Sequence, residues 1–222
     1  MKPSTGLPPL GIPLAVAAAT YLFWTTPVVF PVKIFVVFLH ELSHGLAAVA
    51  TGGSIVRMEL SAAEGGLCVT AGGSRFVILF SGYLGSLLLG ALLLVAGTRS
   101  RHDRLVVTFV GVAILVVTLA WVRSLFGFAW GLGAASALLL TALWLPERAS
   151  DVVLRTLGVV SMLYAVWDIA SDTVVRTIPG SDAHALGQLT GIPGAVWGVV
   201  WIGLSLAIGL AVLRSLARTT AG

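Results

Sequence analysis

The chain has 222 residues, of which 58% are hydrophobic and only 10% are charged, with a formal net charge of +4. This composition excludes an ordinary soluble domain, and the length allows about six membrane spans of ~20 residues each. The basic residues cluster between apolar segments, as the topology rule for membrane proteins predicts, so the small positive charge does not indicate a nucleic-acid partner.

Long apolar segments, separated by short polar or glycine-containing breaks, predict the membrane helices. In chain order they cover residues 10–28, 32–50, 76–96, 105–145 (two spans, broken around 123–127), 152–175 and 195–213. These are seven candidate spans, and the first is the weakest of them because prolines interrupt and end it. We therefore expect an all-α, polytopic integral membrane protein with about six transmembrane helices, forming a single domain over residues 1–222.

The segment between the second and third predicted spans has a different pattern. The residues Ile55, Arg57, Glu59 and Ser61 alternate with Val56, Met58 and Leu60, and Gly65-Gly66 precede a second short apolar run. Alternation followed by a glycine turn predicts a short membrane-associated β-hairpin, although an ordinary surface loop would also fit. Non-helical backbone at membrane depth is tolerated only where it is buried in protein or lines a cavity.

The most informative motif is His40-Glu41-Leu42-Ser43-His44, within the second apolar segment. Two histidines four residues apart share a helix face and can bind one metal ion, and the intervening glutamate can act as a general base. Ionisable groups inside a membrane helix are energetically costly, so their presence there indicates a functional site. Buried polar residues that hold helices together are the alternative explanation, but they do not require these three residue types at this spacing.

A catalytic zinc site usually has three protein ligands, so a third is needed besides His40 and His44. The single cysteine excludes a thiolate cluster, so the third ligand is a histidine or a carboxylate. The two other histidines, His102 and His184, lie in polar loops, where exposure to solvent explains them. Asp168 and Asp172 share one face near the end of an apolar helix, and two like charges there need a nearby cation. We predict Asp168 as the ligand and Asp172 as a supporting residue, with pairing to Arg176 as the alternative. Asp182 is a further candidate, although a loop aspartate is more often a turn or cap residue.

The arginine-rich loop that follows the third predicted span, the loop at Arg148 and the C-terminus fall on one side if six spans are counted. The positive-inside rule makes that side cytoplasmic. We expect a multi-pass protein of the cell membrane, surrounded by the lipid bilayer.

Taken together, these motifs make the chain similar to the site-2 protease family of intramembrane zinc metallopeptidases, and especially to its short B-type branch. The segments that carry the resemblance are Phe38-Leu39-His40-Glu41-Leu42-Ser43-His44-Gly45, Gly52-Gly53, Glu64-Gly65-Gly66, Gly82-Tyr83-Leu84-Gly85, Trp167-Asp168-Ile169 and Ser181-Asp182-Ala183. In the better-known members the third ligand is an aspartate in an Asp-Gly motif. This sequence has no Asp-Gly dipeptide, so the choice among Asp168, Asp172 and Asp182 stays open.

The resemblance implies that His40 and His44 bind Zn²⁺ and that Glu41 is the catalytic base for cleavage of a transmembrane segment in another membrane protein. The alternative is a non-catalytic membrane scaffold or binding protein that keeps the metal site as a structural element. Glu41 discriminates between the two, because a structural site needs no base.

Overall fold

The structure, a computed structural model, describes residues 11–175 and 180–218. The described residues form eight α-helices and one β-hairpin. In chain order these are α1 (Gly11–Leu22), α2 (Phe30–Ala50), β1 (Ser54–Leu60), β2 (Gly66–Ala71), α3 (Arg75–Arg99), α4 (Asp103–Trp121), α5 (Leu125–Trp144), α6 (Glu147–Ala170), a π-helical turn (Ser171–Val175), α7 (Asp182–Thr190) and α8 (Gly194–Arg218).

Six of the helices in the described residues are long and apolar enough to cross a membrane, which confirms the predicted architecture of about six spans. They are α2, α3, α4, α5, α6 and α8. The segment predicted as a first span instead contains α1, which has only 12 residues. A helix of that length is about 18 Å long, shorter than the hydrocarbon core of a bilayer.

The most buried span is α2, in which 72% of the apolar 18-residue stretch is buried inside the protein. Its apolar side chains enter the largest core cluster together with residues of α4, α5 and α6 and with Met58 and Leu60 of the hairpin. Pro31 lies in the first turn of α2, where the missing N–H has no intrahelical partner to lose. The position of α2 at the centre of the bundle places the His40–His44 motif inside the protein.

The predicted hairpin is present: β1 and β2 pair antiparallel, with an irregularity between Ile55 and Arg57. It folds back along α2 from the C-terminal end of that helix. Ile55 packs on Gly45, and at the tip Glu64 Oε1 lies 3.1 Å from Lys33 Nζ. Lys33 lies 17 residues before the end of α2, a distance of about 25 Å along the helix. The hairpin therefore runs beside α2 at membrane depth.

The two edges of the hairpin have different surroundings. The outer edge of β1 is covered by the α4–α5 connection, where Met58 bridges to Val122 and the Leu60 N–H donates to Ser124 Oγ at 2.9 Å. Among the described residues, no strand pairs with the outer edge of β2. This edge faces the part of α2 that carries the motif.

The polar segment between α6 and α8, predicted as a loop, contains the additional helix α7. Ser181 caps its start by accepting a hydrogen bond from the His184 N–H, and Gly191 ends it in the left-handed conformation. Since helix directions alternate from α2 onward, α7 lies at the same end of the bundle as the α2–β1 turn.

A candidate metal centre at membrane depth

Two turns of α2 present the three side chains of the motif to one cavity. His40, Glu41 and His44 all line it, and Glu41 and His44 are each only 6% exposed. His40 lies ten residues before the end of α2, or about 15 Å along the helix. The motif therefore lies at membrane depth, inside protein and away from lipid.

Asp182, the first residue of α7, reaches both histidines. Its Oδ2 lies 3.0 Å from His40 Nε2 and 3.1 Å from His44 Nε2. Burial by itself would raise the pKa of the Asp182 carboxyl, but the charges and hydrogen bonds of His44 and His40 outweigh burial and hold that pKa well below its usual range. Among the described residues, these three side chains form a group that could hold a metal ion, with ligand atoms within 4.8 Å of one another.

The second ring nitrogen of His44 determines which nitrogen is free to bind a metal. His44 Nδ1 lies 2.7 Å from the backbone oxygen of Ile78, which can only accept, so Nδ1 carries the proton. In the neutral form of His44 the lone pair is then on Nε2, the nitrogen that lies 3.1 Å from Asp182 Oδ2. A histidine oriented in this way through its other nitrogen is the usual arrangement of a metal ligand.

Gly82 of α3 forms the floor of this group. A Cβ at Gly82 would lie 2.6 Å from His40 Nε2, 2.6 Å from His44 Cε1 and 2.7 Å from Asp182 Oδ2. Any side chain at this position would fill the space between the three ligand residues. A set of two imidazoles and one carboxylate around an open space fits Zn²⁺ in a catalytic site.

The side chain of Glu41 lies between the ligand group and the hairpin. Its carboxylate accepts a hydrogen bond from the backbone N–H of Cys68 in β2. A Cβ at Gly66 would lie 2.6 Å from both Cγ and Oε1 of Glu41, so only glycine allows the strand to approach this closely. The hairpin and α2 thus fix the carboxylate at the cavity.

Asp168 of α6 and Asp172 of the π-helical turn also line the cavity, but neither belongs to the group of His40, His44 and Asp182. Asp168, favoured from the sequence as third ligand, is half-buried in the cavity wall and lies outside the group formed by His40, His44 and Asp182. Asp172 accepts a hydrogen bond from Tyr83 Oη at 2.6 Å. The alternative pairing partner, Arg176, lies outside the described residues.

The cavity has a volume of about 520 Å³ and is lined by both polar and apolar groups. Besides the residues above, Glu64, Gly65, Leu67, Ile78, Leu79 and Ala185 contribute to its walls. This volume is sufficient for several residues of an extended peptide.

Reasoning from the sequence missed Gly82 and Tyr83 as residues of the site. Both belong to the Gly82-Tyr83-Leu84-Gly85 segment, which carries part of the family resemblance but contains none of the predicted ligands. A bulky tyrosine between two glycines on an apolar helix was the available signal.

The chain matches the model of one protein family over most of its length. The family model described as Peptidase M50B-like matches residues 13–212. No curated protein and no solved structure gives a significant match. Because the family match covers most of the chain, this protein belongs to the Peptidase M50B-like family, the M50B branch of the site-2 proteases.

Proposed function

We propose that this protein is an intramembrane zinc endopeptidase that hydrolyses peptide bonds in or near transmembrane segments of other membrane proteins. The observation that carries the proposal is the convergence of His40, His44 and Asp182 beside Glu41, in a cavity at membrane depth. Membership of a family of metallopeptidases supports the same conclusion.

The metal ligands in this proposal are His40 Nε2, His44 Nε2 and one oxygen of Asp182. Asp182 takes the place that the sequence suggested for Asp168, because its Oδ2 is within 3.1 Å of both histidines. When bound there, Zn²⁺ would lower the pKa of a water ligand towards neutrality and polarise the scissile carbonyl.

Glu41 is the residue that moves the proton in this proposal. Its carboxylate takes a proton from the water that attacks the scissile carbonyl carbon, and delivers that proton to the nitrogen of the leaving amine as the C–N bond breaks. The Cys68 N–H and the close approach of Gly66 keep the carboxylate directed at the cavity.

The outer edge of β2, with which no strand pairs among the described residues, offers backbone groups to a substrate. In a strand, the N–H and C=O of one residue point to the same edge, and alternate residues share that edge. Because the Cys68 N–H faces Glu41, the backbone groups of Gly66 and Thr70 face the same way. An unwound substrate segment could pair with these groups by strand addition and lie across the cavity.

This arrangement implies a membrane-protein substrate whose helix opens locally. A helical segment has its carbonyl groups engaged in internal hydrogen bonds, so it must be extended before β2 can bind it or water can attack it. Segments with glycine, proline or asparagine within the apolar stretch should therefore be cleaved in preference to uniform leucine helices.

The proposal is tested with the purified full chain in liposomes that contain single-span model peptides, with Gly-Gly or Asn-Pro in their apolar segments. Cleavage is followed by mass spectrometry for the wild type, for Glu41→Gln and for Glu59→Gln. Glu59 is an exposed hairpin glutamate and provides a matched control. We expect Glu41→Gln to keep its zinc and to lose cleavage by about 10² to 10⁴-fold, while Glu59→Gln cleaves as the wild type does.

Equal cleavage by Glu41→Gln and the wild type would refute the catalytic role. A protein that binds zinc, unfolds when the zinc is removed and cleaves none of the peptides would support the scaffold alternative instead.

A further inference from the structure

Tyr83 of α3 connects one of the proposed metal ligands to a carboxylate that does not belong to the ligand group. The Tyr83 ring lies edge-on to the His40 ring, with centroids 4.8 Å apart and an interplanar angle of 78°. At the other end of the side chain, Oη donates to Asp172 Oδ2 at 2.6 Å. The side chain is only 2% exposed.

The backbone around Asp172 departs from a regular α-helix. After α6, the chain forms one π-helical turn over Ser171–Val175. Such turns are rare and occur frequently at functional sites. Asp172 lies inside this turn, which shifts its side chain relative to the preceding helix and so sets where its carboxylate meets Tyr83.

Helix α8 also packs against Tyr83. Trp201 of α8 is fully buried and packs against the Tyr83 ring, with centroids 4.9 Å apart at 65°. Its Nε1–H donates to the backbone oxygen of Phe80 at 3.1 Å, which fixes the indole against α3. Tyr83 is thus held by packing on α8 and by a hydrogen bond to the π-helical turn.

We propose that Tyr83 and Asp172 are a pair of positioning residues that fix the ring of His40 for metal binding. The inference rests on the proposed metal site and adds two residues to it. Tyr83 acts through His40 and not on the substrate, because its hydroxyl is already donated to Asp172. The hydrogen bond to the Asp172 carboxylate fixes the Tyr83 hydroxyl and with it the orientation of the Tyr83 ring. The ring in turn packs on the His40 imidazole and restricts its rotation.

Loss of residues that orient a metal ligand typically lowers metal affinity by 10 to 100-fold. Tyr83→Phe keeps the ring and removes only the hydroxyl, and Asp172→Ala removes the acceptor. If the two residues act as one unit, each change should weaken zinc binding by a factor in this range, and the double variant should bind no more weakly than the weaker single variant.

The experiment measures zinc affinity by competition with a chromophoric chelator, using the detergent-purified full chain. Asp172→Asn is included because the amide oxygen of asparagine can still accept a hydrogen bond from the Tyr83 hydroxyl. Tyr164→Phe is the matched control, since Tyr164 is a buried tyrosine of α6 whose ring packs on Trp24, with centroids 5.5 Å apart. We expect near wild-type zinc affinity for Asp172→Asn and Tyr164→Phe. Melting temperatures measured without zinc separate this effect from general destabilisation.

Three results would overturn the inference. These are unchanged zinc affinity in Tyr83→Phe, fully additive effects in the double variant, and loss of cleavage in Tyr83→Phe but not in Asp172→Ala. The last result would assign Tyr83 a direct contact with the substrate. All three leave zinc binding by the wild type intact, so they are distinguishable from failure of the proposed function. A wild type that binds no zinc would refute the site and the pair together.

Discussion

Gly82→Ala is the substitution for which the structure makes the sharpest prediction. The new methyl carbon would lie 2.6 Å from His40 Nε2 and His44 Cε1 and 2.7 Å from Asp182 Oδ2, whereas ordinary contacts begin at 3.4 Å. The ligands must therefore move apart by about 0.8 Å, well beyond the ~0.2 Å within which metal–ligand distances are held. We expect zinc affinity to fall by roughly 100-fold or more.

Two other glycines of the membrane helices serve as controls. A Cβ at Gly85 would collide with Ser43 on α2 but meets no ligand atom, so Gly85→Ala should lower stability without a specific loss of zinc. A Cβ at Gly203 of α8 meets nothing within 4 Å, so Gly203→Ala should be neutral or favour the helix by up to about 1 kcal/mol.

The assay is zinc titration in competition with a chelator, with the melting temperature of each metal-free variant measured in parallel. Wild-type zinc affinity in Gly82→Ala would refute the reasoning, because the three ligand residues could then not surround the space that Gly82 leaves open. Equal zinc loss in Gly82→Ala and Gly85→Ala would show that helix packing, and not the ligand geometry, determines the effect.

Three further predictions concern the hairpin. Gly66→Ala should reduce cleavage while zinc stays bound, because its methyl group would displace Glu41 and not the ligands, and Gly65→Ala should be neutral because nothing lies within 4 Å of its Cβ. Lys33→Met should speed amide hydrogen exchange at the hairpin tip, since Glu64 loses its partner, and adding Glu64→Leu should partly restore protection. Burial, and then the Glu41 carboxylate, raise the pKa of the Cys68 thiol from 9.0 to about 12. Its alkylation rate at pH 8 should therefore be roughly a thousandfold below that of an exposed thiol and should still rise tenfold per pH unit above pH 9, while a plateau near pH 9 would contradict this.

The architecture was largely predictable because apolar runs of membrane length have few alternatives to helices. The alternation in β1 also predicted the hairpin correctly. Sequence patterns did not predict that the hairpin runs back along α2, because that path depends on contacts such as Lys33 with Glu64, which are 31 residues apart.

The candidate site was predictable only where it is local in sequence. His40, Glu41 and His44 lie within two helical turns, so their spacing alone brings them together. The partner of these residues comes from α7, more than 130 residues later, and Asp182 lies 142 residues from His40. The polar segment around Asp182 was interpreted as a loop, and this made Asp168 on an apolar helix the more conspicuous carboxylate.

The most direct test of the account is the zinc content of the detergent-purified protein, measured by mass spectrometry for the wild type and for three alanine variants. We predict about one zinc per chain in the wild type and in Asp168→Ala, and none in His44→Ala or Asp182→Ala. Zinc retained in Asp182→Ala but lost in Asp168→Ala would contradict the proposed ligand set. A folded wild type that binds no zinc, even after zinc is added, would contradict the metallopeptidase account itself.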